Sequence, residues 1–281
     1  MQGIKRVGKL GILGALNAGR DLLPSWAEQR LFRLLGIEFR PPLNSIVYPN
    51  GASSAFSVSV DFDAIRPERI RPNSEGTKNL LEVSKAYGIP VTWAICGNTA
   101  VNDWDSFQRI ADSSVKQEIA IHTFSHRDVS RCSAAELVEE VEMCKKVLGL
   151  HDQPRTFIFP WNREGHFDTL RRLGFIAYRG EKRVLSSPLR NGGLWNVPPV
   201  LYMGPSFQRN VKRSVGVARK LLDLCVAHGC TFHLWTHPWE ISSKDGVDAI
   251  LSYASDLASE GRVWMCTLGE LGGFWELSSH K

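Results

Sequence analysis

Strand and helix patterns alternate along most of this chain, and that alternation constrains its fold more than any other feature. Residues 56–61 alternate apolar and polar side chains, as a half-buried strand does. The reading continues as helix 74–88, strand 89–96, helix 103–115, strand 118–121, helix 134–148, strand 156–159, helix 166–173, strand 175–178, loop 180–208, helix 209–228, strand 231–236, helix 244–259, strand 262–266 and a helix after Thr267. Strands that alternate with helices predict a mostly parallel sheet. We therefore expect an α/β fold, a closed or partly closed (β/α) barrel.

Motifs and charge exclude two classes of function. The chain has neither GxGxxG nor GxxxxGK[ST], so it lacks the phosphate-binding loops of the common nucleotide-binding folds. Its net charge is +5, but residues 1–45 hold seven basic and three acidic residues, which leaves the remainder nearly neutral. A nearly neutral body has no electrostatic footprint for nucleic acid, so we expect no nucleic-acid partner.

Residues 1–45 are predicted to be a basic, amphipathic helical extension, and residues 46–281 the main domain. Apolar residues recur there at near-helical spacing, with Arg30 and Arg33 between them: Leu22, Leu23, Trp26, Leu31, Leu34 and Leu35. Pro24 suits the first turn of a helix, and Pro41 ends the segment. Two interpretations remain open. The helix packs on the main domain, or it lies on an anionic membrane, which would give peripheral membrane contact through residues 1–40.

The predicted location is cytoplasmic or at the membrane periphery. The apolar stretch from Leu10 to Ala18 is interrupted by Gly11 and is far shorter than the ~20 residues of a membrane span. No convincing small-residue cleavage site follows it. The six cysteines include no CxxC pair, and their spacing predicts free thiols in a reducing compartment.

Two carboxylates follow the first predicted strand directly. Asp61 and Asp63 are two residues apart, so in extended chain they face the same side. Neighbouring carboxylates repel unless a cation or a shared proton offsets their charge. One of them could bind a metal ion while the other stays free as a base; the alternative is a pair of turn or capping aspartates.

Two histidines follow a later strand. His122 and His126 have the spacing i, i+4, which in a helical turn would point both rings to one side. With one carboxylate they would make three protein ligands and leave a position open for water, as a catalytic metal site requires. The pair alone is a weak signal, because unrelated core or surface histidines produce the same spacing.

Together with two further strand ends, these residues give a specific order along the chain. The fourth predicted strand ends in Phe159-Pro160-Trp161-Asn162, and a late strand ends in Trp235-Thr236-His237. This set resembles the polysaccharide deacetylase family, the NodB-homology group or carbohydrate esterase family 4, from about residue 56 to residue 266. The resemblance implies a distorted (β/α) barrel of the NodB type and a metal-dependent hydrolase that removes an N-acetyl or related acyl group from an amino sugar.

The resemblance also implies roles for individual residues. Asp61 matches the general base, and His237 the catalytic histidine that acts as acid. Asp63, His122 and His126 match the ligands of a divalent metal ion, for which Zn²⁺ is the preferred candidate and Co²⁺ the second. Pro160, Trp161 and Asn162 match the segment whose backbone N–H helps to hold the oxyanion, and Trp195 and Trp239 are candidate platforms for sugar rings.

Two departures from the family pattern leave alternatives open. The family carries an arginine two residues before the motif proline, paired with the base, but this chain has Ile158 there. Arg155, Arg163 or Arg179 could replace it. An aspartate that orients the catalytic histidine is also not identified. The alternatives are therefore a carbohydrate-binding pseudoenzyme, or a deacylase acting on a small-molecule or lipid-linked sugar amide.

Overall fold

A curled, mostly parallel sheet forms the centre of the molecule. The structure is a computed structural model that describes residues 25–42, 46–64, 67–180, 182–241 and 243–279. The strands are β1 (Glu38–Arg40), β2 (Ser54–Phe62), β3 (Val91–Ile95), β4 (Gln117–Ile121), β5 (Thr156–Ile158), β6 (Ala177–Arg179), β7 (Val184–Ser186), β8 (Leu189–Asn191), β9 (Leu194–Asn196), β10 (Leu201–Tyr202), β11 (Thr231–Thr236) and β12 (Val263–Met265). The main sheet has the order β10-β11-β2-β3-β4-β5-β6-β9-β8, with β12 beside β2, and β1 pairs separately with β7.

Helices follow most of these strands and cover the outside of the sheet. They are α1 (Ser25–Leu35), α2 (Pro67–Tyr87), α3 (Gly97–Asn102), α4 (Trp104–Ala111), α5 (Ala134–Val147), α6 (Phe167–Arg172), α7 (Pro205–Gln208), α8 (Val211–His228), α9 (Asp245–Ser259) and α10 (Leu268–Ser278). Short 3₁₀ turns lie at Pro49–Gly51, Val129–Arg131, Pro160–Asn162 and Pro238–Glu240. The predicted distorted (β/α) barrel is confirmed.

The sequence reading was wrong in three places. Residues 180–208, predicted as a loop, contain β7 to β10, and β8 and β9 form the antiparallel pair of the sheet. The helix predicted over residues 103–115 is the shorter α4 (Trp104–Ala111), and a separate helix that was not predicted, α3 (Gly97–Asn102), precedes it. Helix α2 begins at Pro67 and runs through Pro72, whereas the prediction began it at residue 74. Proline and short strands both weaken a periodic signal, which explains these misses.

The pleat of β2 separates two layers of core. Phe56, Val58, Val60 and Phe62 lie in the large cluster packed against the helices. Their neighbour Ala55 belongs to a second cluster inside the curl of the sheet, which also holds Ala94, Ala120 and Ile158. Successive side chains of a strand point to opposite faces, so this alternation sends Asp61 into the barrel interior. All nine residues of β2 are buried.

Helix α1 packs on the barrel. Ala27, Leu31 and Phe32 are buried in the large cluster, while Trp26 and Leu34 are 64% and 59% exposed. Arg183 donates to the carbonyl of Leu35 at 2.9 Å and so satisfies the C-terminal end of the helix. Leu22 and Leu23 lie outside the described residues. The domain boundary at residue 45 and the membrane contact through residues 1–40 stay predictions, and no helix among the described residues is long and apolar enough to cross a membrane.

Candidate active site

The polar side chains singled out in the sequence meet where β2, β4, β5, β6 and β11 end. Carboxyl ends of parallel strands share one edge of a sheet, and barrels of this kind keep their chemistry there. Asp61, Asp63, His122 and His126 are all buried, with exposures of 4%, 8%, 1% and 7%. His237 faces them from the end of β11, with its Nε2 4.0 Å from Asp61 Oδ2 and 3.9 Å from Asp63 Oδ1.

Asp63, His122 and His126 form one cluster of potential metal ligands. Asp63 Oδ2 lies 2.9 Å from His126 Nε2 and 3.8 Å from His122 Nε2. The ring of His122 is oriented by its other nitrogen, since Nδ1 is 2.7 Å from the carbonyl oxygen of Ile158. A carbonyl only accepts, so Nδ1 carries the proton and Nε2 turns an unshared pair towards Asp63.

This cluster fits a divalent cation such as zinc. One carboxylate and two imidazoles are ligands that Zn²⁺ accepts, and bonds of about 2.0–2.1 Å place tetrahedral ligand atoms about 3.3 Å apart. The observed separations of 2.9 and 3.8 Å span that value. Asp63 Oδ1 and His122 Nε2 are buried without a hydrogen-bond partner among the described residues. Buried polar atoms without partners are costly, and a cation would satisfy them.

The i, i+4 spacing of the two histidines suggested a helical turn, but the structure places them in a loop. His122 directly follows β4, and the loop turns back through positive φ angles at Thr123 (59°) and His126 (58°). Glu140 of α5 holds this loop, because its carboxylate accepts from the backbone N–H groups of Phe124 at 2.9 Å and Ser125 at 2.8 Å. Left-handed backbone at residues other than glycine carries strain and concentrates at functional sites.

Asp61 is clamped by a buried arginine. Arg179 Nη1 donates to Asp61 Oδ1 and Nη2 donates to Oδ2, both at 2.6 Å, and the arginine side chain is 1% exposed. Such a two-pronged pair is the strongest geometry that arginine and carboxylate adopt. Burial raises the pKa of Asp61, but the adjacent Arg179 charge outweighs burial and holds this pKa below its usual value.

Arg179 stands beside the position where the family pattern places an arginine. Ile158 of β5 and Arg179 of β6 are paired directly in the parallel ladder. Paired residues of neighbouring strands point to the same face, so Arg179 enters the barrel interior next to Ile158. The other two candidates lie elsewhere: Arg163 pairs with Asp128 at the surface, and the Arg155 guanidinium lies against Gly273 of α10.

His237 is held by Glu240, a residue that the sequence analysis missed. The Nδ1 atom of His237 is 2.9 Å from Glu240 Oε2, and the backbone N–H of His237 donates to the same oxygen at 3.2 Å. Tyr202 donates its hydroxyl to Glu240 Oε1. A carboxylate three residues after a strand-end histidine was the available signal, since that spacing produces a capping box.

Charge and burial set opposite protonation preferences around this site. Burial lowers the pKa of His237, but the Glu240 hydrogen bond and the charges of Asp63 and Asp61 outweigh it and raise this pKa above its usual value. Burial also raises the pKa of Asp63, yet the facing His122 and His126 rings and the charge of His237 bring it well below its usual range. The site therefore combines ionised carboxylates with a histidine that favours its protonated form.

The segment after β5 places an aromatic side chain at the mouth. Pro160 is buried, Trp161 is 59% exposed, and the Trp161 ring lies 4.8 Å from the His126 ring. Trp161 and Asn162 have φ angles of 59° and 53°, and Asn162 Oδ1 accepts from Arg179 Nη2 at 3.2 Å. This bond ties the segment to the clamp on Asp61.

Trp239 and Trp195 differ in position. Trp239 stacks on the His237 ring with centroids 4.3 Å apart. Trp195 lies in β9, so the loop placement behind its predicted sugar contact is wrong. Its ring packs 5.7 Å from Trp275, its Nε1 donates to Glu276, and only 7% of it is exposed. The structure brings Trp239 to the site and leaves Trp195 in the packed interior.

Comparison with known proteins agrees with this geometry. The sequence model of the polysaccharide deacetylase family matches residues 50–169, which include Asp61, Asp63, His122, His126 and Trp161. Over these residues the chain is similar to the polysaccharide deacetylase family. A chitooligosaccharide deacetylase of Bradyrhizobium sp. (strain ANU 289) is 33% identical over 70 residues, which are 25% of this chain. The chain spans about a third, 31%, of the length of that relative.

Solved structures share the fold. One, named as a polysaccharide deacetylase from Mycobacterium smegmatis, has a TM-score of 0.69 at 16% identity, over 86% of this chain and 96% of that one. Another, named as a polysaccharide deacetylase from Pseudomonas aeruginosa PAO1, has a TM-score of 0.64 at 15% identity, over 81% of this chain and 92% of that one. At these identities the likeness establishes a shared barrel fold and says nothing of the chemistry.

Proposed function

We propose that this protein is a metal-dependent hydrolase that removes an N-acetyl or related acyl group from an amino sugar in a polysaccharide or glycoconjugate. Its reaction is hydrolysis of a carbon–nitrogen bond in a non-peptide amide. The observation that carries the proposal is the placement of a clamped carboxylate, Asp61, and a carboxylate-held imidazole, His237, around the Asp63, His122 and His126 cluster.

Asp63, His122 and His126 would hold the metal ion. Zn²⁺ is the preferred candidate, and Co²⁺ is the second candidate. When bound, such an ion polarises the scissile carbonyl and makes the attacking water more acidic. With only three protein ligands, Asp63, His122 and His126 would leave such an ion accessible to the water and the substrate. The Nδ1 hydrogen bond from His122 to Ile158 fixes the ring so that Nε2 is the ligand atom.

Asp61 is the proposed general base. Its lowered pKa keeps the carboxylate ionised at neutral pH, where it accepts the proton that the water loses as its oxygen bonds to the carbonyl carbon. Arg179 fixes both oxygens of Asp61 and offsets the cost of burying their charge. Ser59 and Asn162 accept further hydrogen bonds from the same guanidinium and hold it in place.

The opposite side of the site serves the leaving group. The backbone N–H of Trp161, placed by Pro160 and Asn162, is the proposed donor to the carbonyl oxygen as it becomes negative; one such donor typically supplies about 3 kcal/mol. The raised pKa of His237 keeps a proton on Nε2, which passes to the amine nitrogen as the carbon–nitrogen bond breaks. Trp161 and Trp239 offer apolar ring faces on which a sugar could lie.

The test is amine release from chitooligosaccharides, the substrate class named for the Bradyrhizobium relative. Wild-type protein should release acetate and free amine. A chelator should stop the release of both products, and added Zn²⁺ or Co²⁺ should restore it. Asp61→Asn and His237→Ala should each reduce turnover by at least about 100-fold, whereas the exposed control His151→Ala should not. Unchanged activity in rigorously metal-free protein would refute the proposal.

Two observations bear on the alternatives. The missing family arginine motivated the pseudoenzyme, and Arg179 supplies an equivalent contact to Asp61. Glu240 likewise holds His237. Both contacts support an active site over a pseudoenzyme. Metal and glycan binding without acetate release from a wide panel of amino sugars would favour the pseudoenzyme. Turnover confined to a small-molecule or lipid-linked sugar amide would favour the other alternative, a deacylase of such compounds.

A further inference from the structure

We propose that Tyr202 and Trp235 act together as a brace that positions both the base and the acid of this site. This inference rests on the proposed function. The two side chains belong to neighbouring strands, where Tyr202 of β10 is paired directly with Trp235 of β11. Their rings stack with centroids 4.1 Å apart and an angle of 15° between planes. Neither residue belongs to the metal cluster or approaches the scissile bond in the mechanism above.

The Trp235 end of the brace supports the base. The guanidinium carbon of Arg179 lies 4.4 Å from the centre of the Trp235 ring. Contact between a buried guanidinium and an indole face is favourable, and it fixes the plane in which the cation lies. That plane matters because both terminal nitrogens of Arg179 bind Asp61. Trp235 therefore helps to aim the clamp on the base.

The Tyr202 end supports the acid. The two oxygens of the Glu240 carboxylate have different partners: Oε1 accepts from the Tyr202 hydroxyl, and Oε2 meets His237 Nδ1 at 2.9 Å. The hydroxyl thus prevents the carboxylate from turning away from the imidazole. Burial, followed by the Glu240 hydrogen bond and charge, raises the pKa of Tyr202 far above neutrality, so the hydroxyl stays a donor. With Nδ1 held by Glu240, the transferable proton of His237 resides on Nε2, which faces Asp61 and Asp63.

The brace predicts a selective defect for Tyr202→Phe, which deletes the hydroxyl but keeps the ring stack. On an N-acetyl amino sugar, whose amine must be protonated to leave, kcat should fall about tenfold with little change in KM. On an activated aryl acetate, whose phenolate leaves without a proton, kcat should stay within about twofold of wild type. If Tyr202 had a merely structural role, Tyr202→Phe would lower kcat on both substrates alike, and that result would overturn the proposal. Full activity of the variant on the amide would overturn it as well.

Two further variants frame this result. Tyr253→Phe removes a comparable tyrosine–carboxylate bond, the 2.5 Å contact to Asp223 between α9 and α8, and should leave both rates unchanged. Trp235→Leu removes the ring that contacts both Arg179 and Tyr202, so it should slow both substrates, because each requires the base. Trp235→Leu with normal rates would disprove the link to the base.

The proposed function and the brace fail in distinguishable ways. A wild-type protein inactive on both substrates would refute the proposed function alone. Crystal structures of zinc-loaded wild type and Tyr202→Phe would then decide the brace: it requires the Glu240 carboxylate to rotate away from His237 in the variant. An unchanged Glu240–His237 contact would overturn it regardless of activity.

Discussion

At the scale of single residues, the site depends on buried charges that are paired. Asp61 and Arg179 are both buried within the barrel, and each would be costly alone. Breaking such a pair from one side typically costs about 3–5 kcal/mol, because the partner charge stays buried. Arg179 therefore both keeps Asp61 ionised and stabilises the folded barrel.

The position of Arg179 gives a prediction about strand register. Arg179→Ile should lower kcat/KM on the amide substrate by at least about 100-fold and destabilise the protein. The double variant Ile158→Arg/Arg179→Ile should recover part of both losses, because the paired residue points into the same interior space. Steady-state kinetics and urea unfolding measure the two effects. No recovery in a folded double variant would show that only β6 can present this guanidinium.

His233 predicts how stability depends on pH. Its Nε2 is 2.8 Å from Ser59 Oγ and its Nδ1 is 3.0 Å from the carbonyl of Val197. Burial, reinforced by the Arg179 charge, lowers the pKa of His233 to about 3 from 6.5. Between these two values the unfolded chain binds a proton that the folded chain does not, so stability falls as pH falls. This contribution is complete above pH 6.5 and is lost progressively towards pH 3.

Urea unfolding at pH 7 and pH 5 tests this account. The wild type should lose stability over this interval, and His233→Gln should lose less of it. His151→Gln, at an exposed position, serves as the matched control and should retain the full wild-type loss. An equal loss in all three proteins would assign the acid sensitivity to other groups.

At the scale of elements, short strands deliver side chains and loops hold them. β5 and β6 have only three residues each, yet their ends supply the Ile158 carbonyl that orients His122 and the Arg179 guanidinium. The loop after β4 takes a strained path, and Glu140 of α5 stabilises it through two backbone hydrogen bonds. Rigid elements outside the site therefore determine the geometry within it.

Helix α1 gives the prediction at this scale. Phe32 is 4% exposed and belongs to the large core cluster, whereas Leu34 on the same helix is 59% exposed. Phe32→Ala should therefore reduce the free energy of unfolding by about 3–5 kcal/mol. Leu34→Ala should change it by less than about 0.5 kcal/mol. Equal effects in urea unfolding would contradict the packing of this helix on the barrel.

At the scale of the whole molecule, metal binding and folding should be coupled. The three proposed ligands come from the end of β2 and the loop after β4, so the complete ligand set exists only in the folded barrel. A ligand that binds only the folded state stabilises it, by about 2.7 kcal/mol at 100 times its Kd. Zn²⁺ should raise Tm by about 5 °C or more under those conditions.

Scanning calorimetry with and without Zn²⁺ measures this shift. Asp63→Ala should abolish it, because one of three ligands is lost, while Asp103→Ala, a buried aspartate outside the cluster, should retain it. A shift that survives Asp63→Ala would place the metal elsewhere. Calorimetry does not depend on the substrate, so this outcome is independent of the acyl group removed.

The sequence alone determined the layered α/β barrel and predicted most residues of the candidate site, for a local reason. Strand periodicity depends only on neighbouring residues. Asp61, Asp63, His122 and His237 lie at strand ends, and His126 lies in the loop after one of them. Barrel topology brings such positions to one edge whatever the loops do. Short strands such as β7 to β9 carry too few residues to show a period, so they were missed.

Only the tertiary structure decided which residues support those five. Arg155, Arg163 and Arg179 were equivalent in sequence, and strand register selected Arg179 by pairing it with Ile158. The hydrogen bond from Tyr202 to Glu240 and the contact of Trp235 with Arg179 likewise depend on packing between separate strands and turns. Side-chain partners of this kind are distant along the chain, and no local pattern encodes the three-dimensional register that joins them.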